Sequence, residues 1–248
     1  MRIAGVEQSV LAFVPMWSKI LRLLAGILML PLCVAVTWAL GDLLYGLPPT
    51  QGLVSPESIS LLGGYFVWLA IYLCVVRPMH AYVWAHELTH ALWGLLFGAR
   101  IHSIRAKPTG GAVSLSKTNT LIALAPYFFP FYTMVVLLLR GIVSIWIPMT
   151  PYELVWLFLV GFTWGFHFTF TVQTLLIRQP DIVENGRVFS LTLIYLLNLA
   201  GIGIWVVCTT PATLAGLGGH LADRIALVYV WVWDELAMLG AQLAGLWM

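Results

Sequence analysis

The stretch Met79-His80-Ala81-Tyr82-Val83-Trp84-Ala85-His86-Glu87-Leu88-Thr89-His90-Ala91-Leu92-Trp93-Gly94-Leu95-Leu96-Phe97 decides how the rest of the chain is read. It is apolar enough and long enough to cross a bilayer as a helix, yet it carries a glutamate and three histidines. Polar groups at membrane depth are expensive, so their presence there points to function. His86-Glu87-Leu88-Thr89-His90 has the spacing HExxH, and at i and i+4 the two imidazoles stack on one helix face.

Two neutral imidazoles at that spacing suit a zinc ion, which in catalytic sites takes three protein ligands and keeps a fourth position for water. Glu87, adjacent to the first ligand, is then the general base that draws a proton from the water and returns it to a leaving amine. With the few histidines and glutamates here, a chance match is expected on the order of three times in a thousand. The competing reading is a hydrogen-bonded polar cluster that glues helices together, but such a cluster has no need of this spacing.

Composition agrees with a membrane setting. Of the 248 residues 61% are hydrophobic and only 9% are charged, with a mean hydropathy of +0.95. Twelve Lys/Arg and ten Asp/Glu cannot cover a soluble surface, so lipid must cover much of the chain. The net charge of +2 comes from few and scattered residues, which speaks against nucleic acid as a partner. Cys33, Cys74 and Cys208 lie in apolar runs without metal-ligand spacing and read as packing residues.

Outward from the motif, apolar runs long enough to span occupy 19–44, 59–76, 79–97, 121–147, 152–177, 188–208 and 224–247. The last is in question because Asp234 and Glu235 sit in its middle, and it can instead lie along the interface. Proline and glycine clusters at 46–49, 78, 108–111, 148–151, 180 and 211–219 punctuate the gaps. The expected fold is an all-α polytopic membrane protein of six to seven transmembrane helices in a single domain over 1–248. Its core covers about 60–210, with extra spans at 19–44 and 224–247.

Arg2, Lys19 and Arg22 favour a cytoplasmic N-terminus with the first span retained, and the Lys/Arg-free stretch 42–60 suits the outer side. Arg77 returns the chain inward. A third helix starting there ends outside, yet Arg100, Arg105, Lys107 and Lys117 follow, against the charge rule. A hairpin resolves the conflict: Ile101, Ile104, Val113 and Leu115 flank a turn at Pro108-Thr109-Gly110-Gly111, giving two short strands that re-enter toward the site. A bacterial inner membrane is the expected location.

A third ligand is sought among later acids. In Gln179-Pro180-Asp181-Ile182-Val183-Glu184-Asn185-Gly186, Asp181 and Glu184 stand at i and i+3, so spacing admits either. Asp181 is favoured because Pro180 starts the helix and sets it at the mouth of the span. A solvated helix N-terminus, where acids are favourable anyway, is the alternative for both. His167, in an apolar run, reads first as a packing residue, while His80 and His102 read as interfacial. The tryptophans near span ends read as interfacial anchors.

At these residues the chain resembles the site-2 protease family of intramembrane zinc metalloproteases. The resemblance rests on HELTH inside a span, the Gly110-Gly111 hairpin followed by Leu124-Ala125-Pro126, and the later acidic motif. It covers about 82–197, and only HExxH is individually specific. It implies three central spans around zinc and hydrolysis of a peptide bond within or near the membrane segment of a protein or peptide substrate. The family's third ligand is an aspartate in a motif where asparagine and proline precede Asp-Gly. Here the glycine follows Asp181 by five residues, a departure that leaves Glu184 in play.

Three functions follow from these readings. The first is an intramembrane metalloprotease with zinc on His86, His90 and Asp181, Glu87 as base, and Gly110-Gly111 presenting an unwound substrate segment by strand addition. The second is a membrane zinc peptidase for lipid-linked peptides, whose third ligand is more often glutamate. The third is a non-catalytic metal-binding membrane protein or transporter.

Overall fold

A computed structural model describes residues 16–48 and 54–245. Arg2, the residues 49–53 of the Lys/Arg-free stretch, and the end of the span expected at 224–247 lie outside the described residues.

The architecture is helical with one small hairpin. Helices α1 (Met16–Tyr45), α2 (Pro56–Cys74) and α3 (Met79–Leu96) lead into strands β1 (Ile101–Lys107) and β2 (Gly110–Leu115). Then come α4 (Thr120–Leu124), α5 (Phe131–Val143), α6 (Glu153–Leu175), α7 (Pro180–Asn185), α8 (Arg187–Thr209) and α9 (Leu214–Gly245). Five of these helices are long and apolar enough to cross a membrane: α1, α2, α6 with its preceding turn, α8 and α9. They expose large apolar side chains such as Leu28, Phe66, Ile204 and Trp233, as helices of a membrane protein do.

Three of the expected spans differ from the sequence reading. The run 121–147 is no single helix: α4 and a 3₁₀ turn at Ala125–Tyr127 meet α5 at 81°. Pro130 opens α5 and pushes the residue before it out of helical conformation, so the chain breaks there. Helix α3 forms as expected, but half of its residues, the HExxH positions among them, are buried inside the protein. It is too polar to count among the five spans, so by length and composition the described residues hold five, or six if the bent pair is one span, against the six to seven expected. The last helix starts at Leu214, with Gly216, Gly218 and Gly219 inside it, and carries Asp234 exposed and Glu235 half-buried.

Glycines set the closest helix crossings. A Cβ on Gly64 of α2 would overlap the backbone of Phe158, and one on Gly161 of α6 would overlap the Leu61 carbonyl. Gly165, one turn on, lies against Tyr65. The spacing Gly161-x-x-x-Gly165 therefore lets α2 and α6 touch backbone to backbone, the arrangement small residues permit in membranes. Gly26 does the same for α1 against Val188 and Phe189 of α8. Beyond that crossing, Trp68 and Tyr72 of α2 pack with Tyr82 and Val83 of α3 and with Phe166 and Phe170 of α6. Helix α9 lies on α1, where Arg224 makes a two-pronged ion pair with Asp42 (2.5 and 2.8 Å). Only Cys33 of the three cysteines is partly covered, and Cys74 and Cys208 face outward.

The hairpin pairs Ile104 with Val113, Arg105 with Ala112, Ala106 with Gly111 and Lys107 with Gly110. Its turn is Pro108-Thr109 alone, so the two glycines belong to β2 rather than to the turn. Both strands lie back along α3, with Ala106 reaching the cluster around Tyr82.

Candidate metal centre

Helix α3 sets His86, Glu87 and His90 on its buried side, exposed by 2%, 0% and 0%. The two imidazole Nε2 atoms stand 3.2 Å apart. Asp181, buried at the start of α7, brings Oδ2 to 3.8 Å from His86 Nε2 and 3.7 Å from His90 Nε2. A tetrahedral ion with ligand bonds of about 2.0–2.2 Å needs its ligand atoms about 3.3–3.6 Å apart, so this triangle is of the right size for zinc.

Hydrogen bonds fix what each ring presents. The Ile122 carbonyl can only accept, so His90 donates to it from Nδ1 (2.8 Å). Thr174 donates its hydroxyl to the Phe170 carbonyl (2.7 Å) and must therefore accept from Tyr82 Oη (2.8 Å). The Tyr82 oxygen is left to accept from His86 Nδ1 (3.2 Å). Both neutral rings then carry their proton on Nδ1 and a bare lone pair on Nε2. Two lone pairs and a carboxylate oxygen, all within 4.8 Å of one another, form a buried donor set that could hold a metal ion.

Local structure explains the placement. Asn119 caps α4 by accepting from Ile122 N–H (2.9 Å), and this aims the Ile122 carbonyl at His90. Pro180 is the first residue of α7 and Asp181 the second. The Asn185 amide donates to the Asp181 carbonyl (2.8 Å), and Thr120 donates to Asn185 Oδ1 (2.9 Å), so α4 and α7 are joined beneath both ligands. Tyr127 Oη donates to Asp181 Oδ2 (3.2 Å) from the 3₁₀ turn.

Both carboxylate oxygens of Glu87 are buried without a hydrogen-bond partner. Gly111 of β2 lies directly on this side chain: a Cβ there would stand 2.5 Å from Glu87 Cγ and 2.6 Å from Oε1. Gly110 has φ +150° and is partly covered.

Glu184 takes no part. It points outward from α7, and only its backbone carbonyl is engaged, by Arg22 of α1 (2.8 Å). The short helix turns Asp181 inward and Glu184 outward, so the shared face that i, i+3 spacing admitted is not realised. His80 and His102 are exposed. His167 lies on a small pocket that the His86 ring also lines.

No family model, no curated protein and no solved structure matches the chain.

Sequence reasoning missed the groups that orient the ligands: Tyr82, Thr174, Ile122, Tyr127, Asn119 and Asn185. The Tyr82 hydroxyl was findable, since it precedes His86 by four residues on the same helix face. Asn185, four residues beyond Asp181 in α7, was within reach of the same spacing, whereas Thr174, Ile122, Tyr127 and Asn119 come from elements distant in the chain and left no local pattern.

Proposed function

We propose that the chain is an intramembrane zinc metalloendopeptidase of the site-2 protease type. The observation that carries this reading is the convergence of His86 Nε2, His90 Nε2 and Asp181 Oδ2 beside an unpartnered, fully buried Glu87. Both Glu87 oxygens are unpartnered and the two Nε2 lone pairs face Asp181 Oδ2, which accepts from Tyr127; a purely structural polar cluster would not leave a buried carboxylate without a partner.

A zinc ion held by His86, His90 and Asp181 would supply Lewis-acid activation of water and of the scissile carbonyl. The remaining steps belong to the chain. Glu87, with both oxygens free, accepts a proton from the attacking water and passes it to the leaving amine. Tyr127 and the Asn185–Thr120 pair hold Asp181 in position, and Tyr82 and Ile122 hold the imidazoles. Gly111, having no side chain, lets β2 run against Glu87, so a substrate segment added to the hairpin as a strand lies beside the base. An extended segment exposes the amide that a helix would shield.

The proposal extends to topology. Lys19 and Arg22 at the start of α1, Arg77 after α2, Lys107 at the hairpin tip, and Arg178 and Arg187 around α7 gather at one end of the bundle. That end, with six of the eleven Lys/Arg among the described residues, is taken as cytoplasmic by the positive-inside rule, and the re-entrant hairpin is what carries Lys107 back to it. His167, beside His86, precedes the end of α6 by eight residues, or about 12 Å, so the centre sits nearer that face than the other.

The outward position of Glu184 removes the support for a glutamate ligand, and with it the main ground for the lipid-linked peptidase. The test is purified full-length protein with its Glu87→Gln variant, assayed for zinc and for cleavage of membrane-embedded peptides. Both should bind one zinc per chain, and only the wild type should cleave. A zinc-free wild type, or a Glu87→Gln variant as active as the wild type, would overturn the reading.

A further inference from the structure

Beside the metal centre, α3, α5 and α6 enclose a small pocket whose lining includes Ala85, His86, Thr89, Thr163, Phe166 and His167. Its walls are aromatic and its polar atoms share one property. Every hydroxyl donor in the lining is already spent. Thr89 donates to the Ala85 carbonyl (2.7 Å), and Thr163 to the carbonyls of Leu159 and Val160 (2.8 and 3.2 Å). Tyr132 donates to the Ala81 carbonyl (2.8 Å), and Tyr82 to Thr174 as derived above.

His167 completes the pattern. Its neighbour Asn198 uses both amide hydrogens, on the Tyr127 and Ile194 carbonyls (3.0 and 2.8 Å), and so turns its oxygen to the His167 ring. The ring must give Asn198 the proton on Nδ1, which leaves Nε2 with a lone pair. That Nε2 is shut off from solvent and has no partner. Among its side chains the pocket thus offers acceptors and no free hydroxyl donor, in surroundings where an unmet acceptor is costly.

We infer that this pocket is a substrate subsite for a small hydrogen-bond-donating side chain, serine or threonine, next to the scissile bond, with His167 Nε2 as its acceptor. The inference rests on the peptide-hydrolase reading of the centre that shares the His86 ring. The pocket is small, which suits a side chain of that size better than a large one. Discrimination comes from the acceptor: valine fills the volume of threonine and leaves Nε2 unmet.

The experiment uses full-length, zinc-loaded protein in liposomes with a pool of synthetic transmembrane peptides. Each carries serine, threonine, valine, alanine or leucine at one scanned position, and cleavage sites are read by mass spectrometry. The wild type should prefer threonine to valine by about tenfold or more at one fixed distance from the cut. His167→Phe should cleave without that preference, and His167→Gln, which keeps an acceptor, should retain part of it. Zinc content reports folding of each variant, and if His167→Phe loses zinc, His167→Gln against His167→Leu carries the comparison. Cleavage by the wild type without a serine or threonine preference, or the same preference in variants lacking an acceptor, overturns the subsite and leaves the hydrolase standing; the pocket then holds water only. A zinc-loaded wild type that cleaves no peptide overturns the hydrolase reading and the subsite together.

Discussion

Gly111 and Glu87 are in contact across two elements: the α-carbon of the β2 residue sits against the side chain of the α3 residue so closely that a methyl group has no room. The hairpin therefore fixes where the carboxylate of Glu87 lies. Gly111→Ala should displace that carboxylate by about 1 Å and lower peptide cleavage by about a hundredfold, with zinc content unchanged. Cleavage rates and metal analysis on the same preparation check it, and full activity in the alanine variant would refute the contact's role.

The two acids of α7 should separate cleanly. Asp181→Ala removes one of three atoms at the centre and should reduce bound zinc to a small fraction of the wild-type amount, whereas Glu184→Ala should leave it unaltered. Equal loss from both would contradict the inward and outward directions of the two side chains.

Tyr127 touches Asp181 through one hydrogen bond from its hydroxyl. Tyr127→Phe keeps the ring against His86 and deletes that bond, and zinc affinity should fall about 10- to 100-fold. Competition with a chelator of known affinity measures the difference; an unchanged affinity would make the contact incidental.

The α2–α6 crossing predicts contrasting outcomes for adjacent glycines. Gly64→Ala drives a methyl into the Phe158 backbone and should cost about 1–3 kcal/mol, while Gly63, with nothing within 4 Å, should accept alanine and gain up to about 1 kcal/mol. Unfolding of the two variants in detergent distinguishes them, and equal behaviour would mean the helices are not in backbone contact.

How much of this was legible in the sequence follows from the range of each interaction. The hairpin strands, the α3 helix that carries HExxH and the helices α1, α2, α6 and α8 are local patterns, and each is present where hydrophobic period and spacing indicated. The break near Pro130 was visible as a residue, but apolar composition on both sides concealed an 81° bend. The glycines of 211–219 read as a gap and are helical, because in an apolar setting the backbone gains its hydrogen bonds whether or not the residue favours them. The inward turn of Asp181 depends on Tyr127 and, through Asn185 in the same helix, on Thr120, contacts that reach across the chain by 54 and 65 residues. Spacing within α7 could not encode that choice.

If the centre holds zinc as proposed, the bonds that tie Nδ1 of His90 to Ile122 and Nδ1 of His86 to Tyr82 carry a consequence for the life of the chain before it is loaded. With both rings locked, three electron-rich atoms are forced to face one another, and a chain still awaiting its ion folds against its own repulsion. An ion would relieve that stress and stabilise the folded form in proportion to the logarithm of its supply. Scarcity of the metal in the cell would then act on how much intact protein persists, as well as on how fast each copy works.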